Sequence, residues 1–97
     1  MEETNYAKEK LYITFGSEDD IIRFVDICCK YDDAIDVKVD KISTDAKSIL
    51  GMLLVKIGQP LEIEYRCYDD VDNYPEFREE ILEKFDVKVA DTKESGN

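Results

Sequence analysis

The sequence predicts an α+β fold, an open-faced sandwich in which an antiparallel four-stranded sheet carries three helices on one face. Four segments alternate apolar and polar residues with the period of two that half-buried strands show. Three others repeat apolar residues at the spacing of amphipathic helices. Their order is β-α-β-β-α-β-α, and helices on one face of the sheet would cover every apolar stripe. We expect one domain at residues 10–89, a flexible N-terminus at 1–9 and a disordered tail at 90–97.

The first strand runs from Leu11 to Phe15 and ends at Gly16. Ser17, followed three residues later by Asp20, has the form of a capping box that begins a helix. One face of this helix is apolar and comprises Ile21, Phe24, Val25 and Cys28.

The next two strands form a hairpin. Residues 34–39 alternate between apolar and polar side chains, with the apolar ones facing the core. A turn at Asp40-Lys41, followed by the apolar Ile42, predicts a short return strand.

The second helix begins at Asp45 or Ser48, since both are good N-terminal residues, and it ends before Pro60. The last predicted strand follows, and its inward residues are Leu61, Ile63, Tyr65 and Cys67. An acidic connection then leads to a third helix, capped by Asp72 or Asn73. The apolar residues of the third helix recur at helical spacing and are Phe77, Ile81 and Phe85.

Composition excludes several classes of function. Twenty-four acidic residues against thirteen basic ones give a formal net charge of −11. Such a chain repels the phosphates of nucleic acids and of anionic membranes, whereas a basic protein surface would be attracted. We therefore expect neither nucleic acid nor membrane among its partners.

The residues that usually build metal sites and disulfide frameworks are scarce. The chain has no histidine and three cysteines, Cys28, Cys29 and Cys67, whose spacing fits no disulfide framework. We interpret them as small hydrophobic residues and expect no metal and no cofactor. The N-terminus lacks the features of a signal peptide, and no apolar run is long enough to span a bilayer, so we expect a cytoplasmic protein.

The second helix is more apolar than a helix on a small sheet needs to be. Between Ile49 and Ile57, only Gly51 and Lys56 are not large apolar residues. A two-layer domain cannot bury a helix on all sides, so part of this surface should remain available to a protein partner or to a second copy.

The same segment resembles a known family. Residues 45–52, Asp-Ala-Lys-Ser-Ile-Leu-Gly-Met, followed by Leu-Glu-Ile at 61–63, are similar to the region around the regulatory serine of HPr, the histidine-containing phosphocarrier of the bacterial sugar phosphotransferase system. The family pattern is Lys-Ser-Ile-Met-Gly, a few apolar residues and then a strand. A weaker resemblance extends without gaps from Phe24 to Tyr65. The resemblance implies the open-faced sandwich described above.

The resemblance also implies where the family's chemistry would lie. HPr carries phosphate on a histidine at the N-terminus of the first helix, in a Gly-x-His-x-Arg-Pro pattern. Here the histidine position falls on Ser17 or Glu18, depending on the alignment, and the arginine position on Asp19 or Asp20. Neither candidate supplies an imidazole nitrogen, and a carboxylate in place of arginine repels phosphate. Ser17, Glu18 and Asp19 are thus a degenerate histidine site. Glu18 as an acyl-phosphate acceptor would need a metal and a lysine cradle.

Ser48 matches the regulatory serine, which in relatives is phosphorylated by an ATP-dependent kinase so that the protein binds a transcriptional regulator. The alternative is that Ser48 serves only as a helix cap. A docking surface would lie beside it, on Lys47, Ile49, Leu50 and Leu53.

These observations favour a non-catalytic HPr-like protein that acts through protein contacts in the regulation of the phosphotransferase system. The alternative is a ferredoxin-like domain that binds a small ligand or dimerises, because that fold shares the first six elements. An enzyme has little support. Glu62 and Glu64 share a strand face and could be read as paired carboxylates, but nothing nearby in the sequence would dehydrate them.

Overall fold

The computed structural model describes residues 4–5, 9–67 and 73–91. The strands are β1 (Thr4–Asn5), β2 (Glu9–Thr14), β3 (Ala34–Val39), β4 (Ile42–Asp45), β5 (Leu61–Cys67) and β6 (Asp86–Asp91). The helices are α1 (Glu18–Cys28), α2 (Ile49–Met52) and α3 (Tyr74–Lys84). No described helix combines the length and apolar character needed to cross a bilayer.

The strands form one antiparallel sheet in the order β4-β3-β5-β2-β6, and β1 pairs with the far end of β5. Leu11 of β2 and Val37 of β3 both lie opposite Ile63 of β5, so apolar side chains meet across the centre of the sheet. All three helices contribute to the core on this face. The predicted α+β sandwich is confirmed, with β1 and β6 added to the four predicted strands.

Strand β6 was not predicted. It pairs along its whole length with β2, so that Val87 lies opposite Ile13 and Val89 opposite Leu11. Ala90 and Asp91, which we assigned to a disordered tail, belong to this strand, and residues 92–97 lie outside the described residues.

The N-terminal boundary also differs from the expectation. Within the predicted flexible segment 1–9, Thr4 and Asn5 form β1, and Glu9 already begins β2. Residues 1–3 and 6–8 lie outside the described residues.

Three phenylalanines join the sheet to two of the helices. Phe15 meets Phe24 of α1 edge to face at 5.4 Å between ring centroids, and Phe24 meets Phe77 of α3 at 6.4 Å. All three are fully buried. Because buried aromatic pairs contribute beyond their buried area, this cluster fixes α1 and α3 against the end of β2.

Helix α1 begins as the sequence predicts. Ser17 has an extended backbone, and its Oγ accepts a hydrogen bond from the Asp20 amide at 3.3 Å. In return, Asp20 Oδ2 accepts from the Gly16 amide at 3.1 Å. Two backbone amides of the helix start are thus satisfied reciprocally.

Helix α2 is shorter than predicted. It contains only Ile49–Met52, and Ser48 rather than Asp45 is its cap. Beyond Met52 the amides of Leu54 and Val55 donate to carbonyls three residues back, so the segment tightens out of the α-helical pattern. Gly58 then takes a positive φ of 90° that favours glycine, and its amide donates to the Phe15 carbonyl at 2.9 Å.

Helix α3 buries Tyr74, Phe77 and Ile81, and Phe85 follows its last residue half-buried. Asn73 is the N-cap, although its side chain makes no capping hydrogen bond. The alternative cap, Asp72, and the rest of the acidic connection lie outside the described residues.

Cys28 of α1 and Cys29, the C-cap of this helix, are free thiols. Cys28 is buried and Cys29 is exposed. Burial raises the pKa of the Cys28 thiol, which keeps it protonated and suits its predicted role as a small core residue. The side chain of Cys67 lies outside the described part of the chain.

Candidate docking surface

The residues predicted to be a degenerate histidine site lie at the start of α1. Glu18 and Asp19 are exposed there, beside the capping Ser17. Acidic side chains at this position stabilise the helix because they face the positive end of its dipole. The same charges oppose a bound phosphate, so the arrangement fits a stable helix start better than a phosphate site.

Ser48 is the N-cap of α2, as Ser17 is the N-cap of α1. Its backbone is extended, and its Oγ accepts from the Gly51 amide at 3.3 Å. Asp45 instead closes the preceding turn by accepting from the Lys47 amide at 3.0 Å. Ser48 therefore acts as a helix cap in this structure.

The orientation of α2 follows from Gly51. A Cβ added at this residue would lie 2.8 Å from Thr44 Cγ2, so this side of the helix lies against β4. Residues two positions apart point to nearly opposite sides of a helix. Ile49 and Leu53 therefore face away from β4, while Leu50 faces away from the fully buried Met52.

Five apolar side chains of residues 49–57 remain exposed, and we call this surface the α2 patch. Its members and their exposed fractions are Ile49 (38%), Leu50 (78%), Leu53 (41%), Leu54 (79%) and Ile57 (47%). Met52 and Val55 are the buried residues of the same segment and hold it on the sheet. The expected excess of apolar surface is therefore present. Five exposed apolar residues within one short segment are more than the single scattered ones that are normal on a protein surface.

Leu54 and Ile57 were not predicted to belong to this surface. Both belong to the apolar run that was noted. They lie four and seven residues after Leu50, a spacing that shares one side of a helix, and they are exposed as Leu50 is.

Helix α1 lies beside this segment and runs in the opposite direction. At one end, the Cys29 thiol donates to the Lys47 carbonyl at 3.9 Å. At the other, the Gly58 amide meets the carbonyl of Phe15, just before α1. Positions of α1 on the same side as Cys29, namely Ile22 and Glu18, therefore border the α2 patch. Ile22 is 49% exposed and extends the apolar surface.

Lys47 was predicted to be part of the docking surface. Its ammonium instead donates to the Tyr31 carbonyl at 2.5 Å, and the side chain is half-buried. Tyr31 lies just beyond α1, where backbone carbonyls lack helical partners. Lys47 thus connects the segment before α2 to the end of α1, and its ammonium donates within the chain.

A groove between α1 and α3 contains a charge cluster that was not predicted from the sequence. Its lining comprises Arg23, Asp26, Ile27, Lys30, Glu80 and Lys84. Glu80 accepts from Lys30 at 2.8 Å, from Lys84 at 3.1 Å and from the Tyr31 hydroxyl at 2.9 Å. These donors, Lys30 first, lower the pKa of the Glu80 carboxyl to about 2. The cluster joins the two helices and engages the ammonium groups of Lys30 and Lys84 in hydrogen bonds within the chain.

The remaining acidic candidates do not converge. Glu62 lies near Lys10 at 3.8 Å and Lys38 at 4.0 Å, while Glu64 pairs with Arg66 at 3.4 Å. These pairs cover the sheet face opposite the helices. Within residues 4–5, 9–67 and 73–91, no group of three metal-ligating side chains comes together.

Comparisons with known proteins identify the fold. No protein-family model matches the chain, and no curated protein matches it. Among solved structures, the chain is similar to a crystal structure of HPr-C-His from Thermoanaerobacter tengcongensis, with a TM-score of 0.61 and 20% sequence identity. The match covers 88% of this chain and 91% of that one. At this identity the likeness shows an HPr-like fold.

Proposed function

We propose that this chain is a non-catalytic, HPr-like interaction protein that is related to the sugar phosphotransferase system and binds a protein partner through the α2 patch. The observation that carries the proposal is the exposure of Leu50 and Leu54, at 78% and 79%, beside a fully buried Met52. A contiguous apolar surface of this kind typically marks an interaction site.

The residues at the start of α1 support the non-catalytic part of the proposal. The chain contains no histidine, and exposed acidic side chains occupy the positions next to the Ser17 cap. A carboxylate or a hydroxyl cannot replace the imidazole that accepts phosphate in the resembling family. Incubation with phosphoenolpyruvate and the general phosphotransferase enzyme should transfer no phosphate, and any transfer would restore the carrier function.

Substitution of the α2 patch tests the proposed docking. Leu50→Asp together with Leu54→Asp should abolish partner binding and leave the free energy of unfolding within about 0.5 kcal/mol, since both side chains are largely exposed. Met52→Ala is the matched control and should cost about 2–5 kcal/mol, because Met52 is fully buried.

Pull-down from native cytosol, with urea unfolding of each variant, measures both effects. Loss of folding in the Leu50/Leu54 variant would identify these residues as core. Unchanged partner binding in a folded variant would end the docking proposal.

A second candidate function is a regulatory domain that dimerises through the same patch. Light scattering of the isolated chain distinguishes this dimer from a monomer that binds a different protein. The ligand-binding version of this alternative requires free polar groups in a cleft. In the α1–α3 groove, Lys30 and Lys84 are already bound to Glu80, which disfavours it.

We further propose that phosphorylation of Ser48 regulates the patch. The hydroxyl lies at the edge of the patch, next to Ile49, and a phosphate there would add negative charge to an apolar contact surface. Incubation with a serine kinase of the resembling system and ATP should add one phosphate to the wild type and none to Ser48→Ala. No mass gain in the wild type would retire this part of the proposal.

A further inference from the structure

The charges that surround the α2 patch point to one chemical class of partner. Two cations lie near it and both are used within the chain. Lys47 donates to the Tyr31 carbonyl, and Lys56 pairs with Asp40 at 3.9 Å. The charge of Lys56 is offset by Asp40, whereas Lys47 keeps its charge, because a carbonyl is neutral, but its ammonium is bound within the chain.

The carboxylates on the neighbouring helix are in the opposite situation. Glu18, Asp19 and Asp26 are exposed, and none of them has an ion-pair partner within the described part of the chain. Asp20, the other acid of the first turn, is instead paired with Arg23 at 3.4 Å.

The helical spacing of α1, about 3.6 residues per turn, determines on which side of the helix each of these three carboxylates lies. The flank next to α3 carries Arg23, Ile27 and Lys30, which line the groove between the two helices together with Asp26 at its outer rim. The flank next to α2 carries Cys29, and Glu18 and Ile22 share it. Asp19 and Asp26 lie seven residues apart, on the solvent side between the two flanks. One side of the α2 patch is thus bordered by an apolar residue, Ile22, and by unpaired acids.

We infer that the partner of the α2 patch is a basic amphipathic segment, with apolar side chains that fit over Leu50, Leu53 and Leu54 and Lys or Arg side chains that meet Glu18, Asp19 and Asp26. This inference rests on the proposed function and adds the chemical class of the partner. Complementary rim charges of this kind set the choice of partner and the rate of encounter more than the total affinity.

The same charges argue against the other occupants of an apolar surface. In a symmetric dimer built on the patch, each copy would bring the same unpaired carboxylates towards the other, and like charges across an interface oppose association. An anionic membrane surface would be repelled in the same way.

Selection from a displayed peptide library tests the inference directly. The library fixes an apolar helical face of Leu and Phe and allows Lys, Glu or Gln with equal frequency at the flanking positions. We expect selected peptides to be enriched in Lys at those positions. We also expect their ¹⁵N chemical-shift footprint on the full chain to cover α2 and the exposed side of α1.

Two charge variants with the same change in net charge separate a local effect from a global one. Glu18→Gln/Asp19→Asn/Asp26→Asn should weaken the selected basic peptides about tenfold, because three rim pairs each contribute about a factor of two to three. Asp32→Asn/Glu76→Gln/Glu83→Gln removes three exposed carboxylates elsewhere and should change the affinity little. Thermal unfolding shows that each variant is folded before binding is compared.

The outcomes distinguish this inference from the proposed function. Peptides that bind the α2 patch, and lose binding with Leu50→Asp/Leu54→Asp, but show no Lys preference overturn the basic-partner inference alone. Equal weakening by the two charge variants does the same. Selected peptides whose footprint lies away from α2, or a library that yields no binder, overturn both. A dimer of the wild-type chain that uses the patch at the concentration of the experiment also overturns the inference.

Discussion

Glu80 joins three parts of the chain through one carboxylate. Lys30 and Tyr31 reach it from the end of α1, and Lys84 reaches it from the next turn of α3. Its side chain is only 15% exposed, although both lysines are about half exposed. The ionised form of Glu80 is therefore favoured in the folded protein, and its pKa falls to about 2.

This shift predicts an acid-dependent loss of stability. A carboxyl whose pKa is lowered on folding, here from 4.5 to about 2, stabilises the protein above pH 4.5 and loses that contribution as the pH falls to about 2. Glu80→Gln should lower the free energy of unfolding by about 1–2 kcal/mol at pH 7, a value reduced for solvent screening of the exposed lysines.

Urea unfolding of both proteins across this range measures the effect. The difference between wild type and Glu80→Gln should shrink through the window and vanish near its lower end. Glu83→Gln, an exposed carboxylate on the same helix, should differ from the wild type by less than about 0.5 kcal/mol. A difference for Glu80→Gln that stays constant with pH would contradict the assignment.

Individual residues differ in how far the sequence predicts them. Ser17 was predicted as a cap because its local pattern, an acid three residues later, is sufficient to define the geometry. Lys47 was not predicted correctly in detail, since its contact with Tyr31 joins residues sixteen positions apart. Helix caps can be predicted from a local sequence pattern, whereas the partner of a long side chain depends on how the helices and strands pack together.

For the helices and strands, the sequence predicts the type of each element better than the residue at which it ends. The helix at α2 was expected to extend towards Gly58 because the apolar run does. Its end is set by tertiary contacts instead: Val55 is 6% exposed, and Gly58 is bonded to Phe15. Leu50 and Leu53 of the candidate surface were predicted from the run, and the helical spacing of Leu54 and Ile57 from Leu50 would have added them.

Strand β6 was missed although Val87 and Val89 alternate with charged or small residues. Six residues close to the end of a chain give a weak periodic signal, and pairing with β2 is a long-range event. Val87 packs half-buried against the core, so the strand covers apolar surface and also pairs with the edge of β2.

Removal of β6 should therefore destabilise the domain. Truncation after Phe85 should cost about 2–4 kcal/mol, since it uncovers the edge of β2 and removes the partly buried Val87. It should also increase aggregation, because β2 becomes an unprotected edge strand. Urea unfolding and light scattering measure the two effects.

Truncation after Asp91 is the control and should leave the free energy of unfolding within about 0.5 kcal/mol, because it keeps the whole of β6. An unchanged stability after removal of residues 86–97 would show that β6 contributes nothing to the fold.

For the whole molecule, net charge is the property that the sequence gives without any structure. A formal charge of −11 lies on a body of 37 × 30 × 27 Å. Many carboxylates are thus separated by more than the Debye length of about 8–10 Å at physiological ionic strength, so their mutual repulsion is screened by salt. Short, partly buried pairs such as Arg66–Asp36 at 2.9 Å are screened much less.

Because repulsion is screened more than attraction, added salt should stabilise this protein. Raising NaCl from low concentration to about 0.2 M should increase Tm by several degrees, as about 1 kcal/mol corresponds to roughly 4–8 °C for a domain of this size. Asp32→Asn/Glu76→Gln/Glu83→Gln should melt higher than the wild type at low salt and gain less from added salt, since part of the repulsion is already removed. Differential scanning calorimetry of both proteins tests this. A Tm that falls as salt is added would mean that the ion pairs of the sheet face and of Glu80 outweigh the self-repulsion of the acidic surface, including the carboxylates beside the α2 patch.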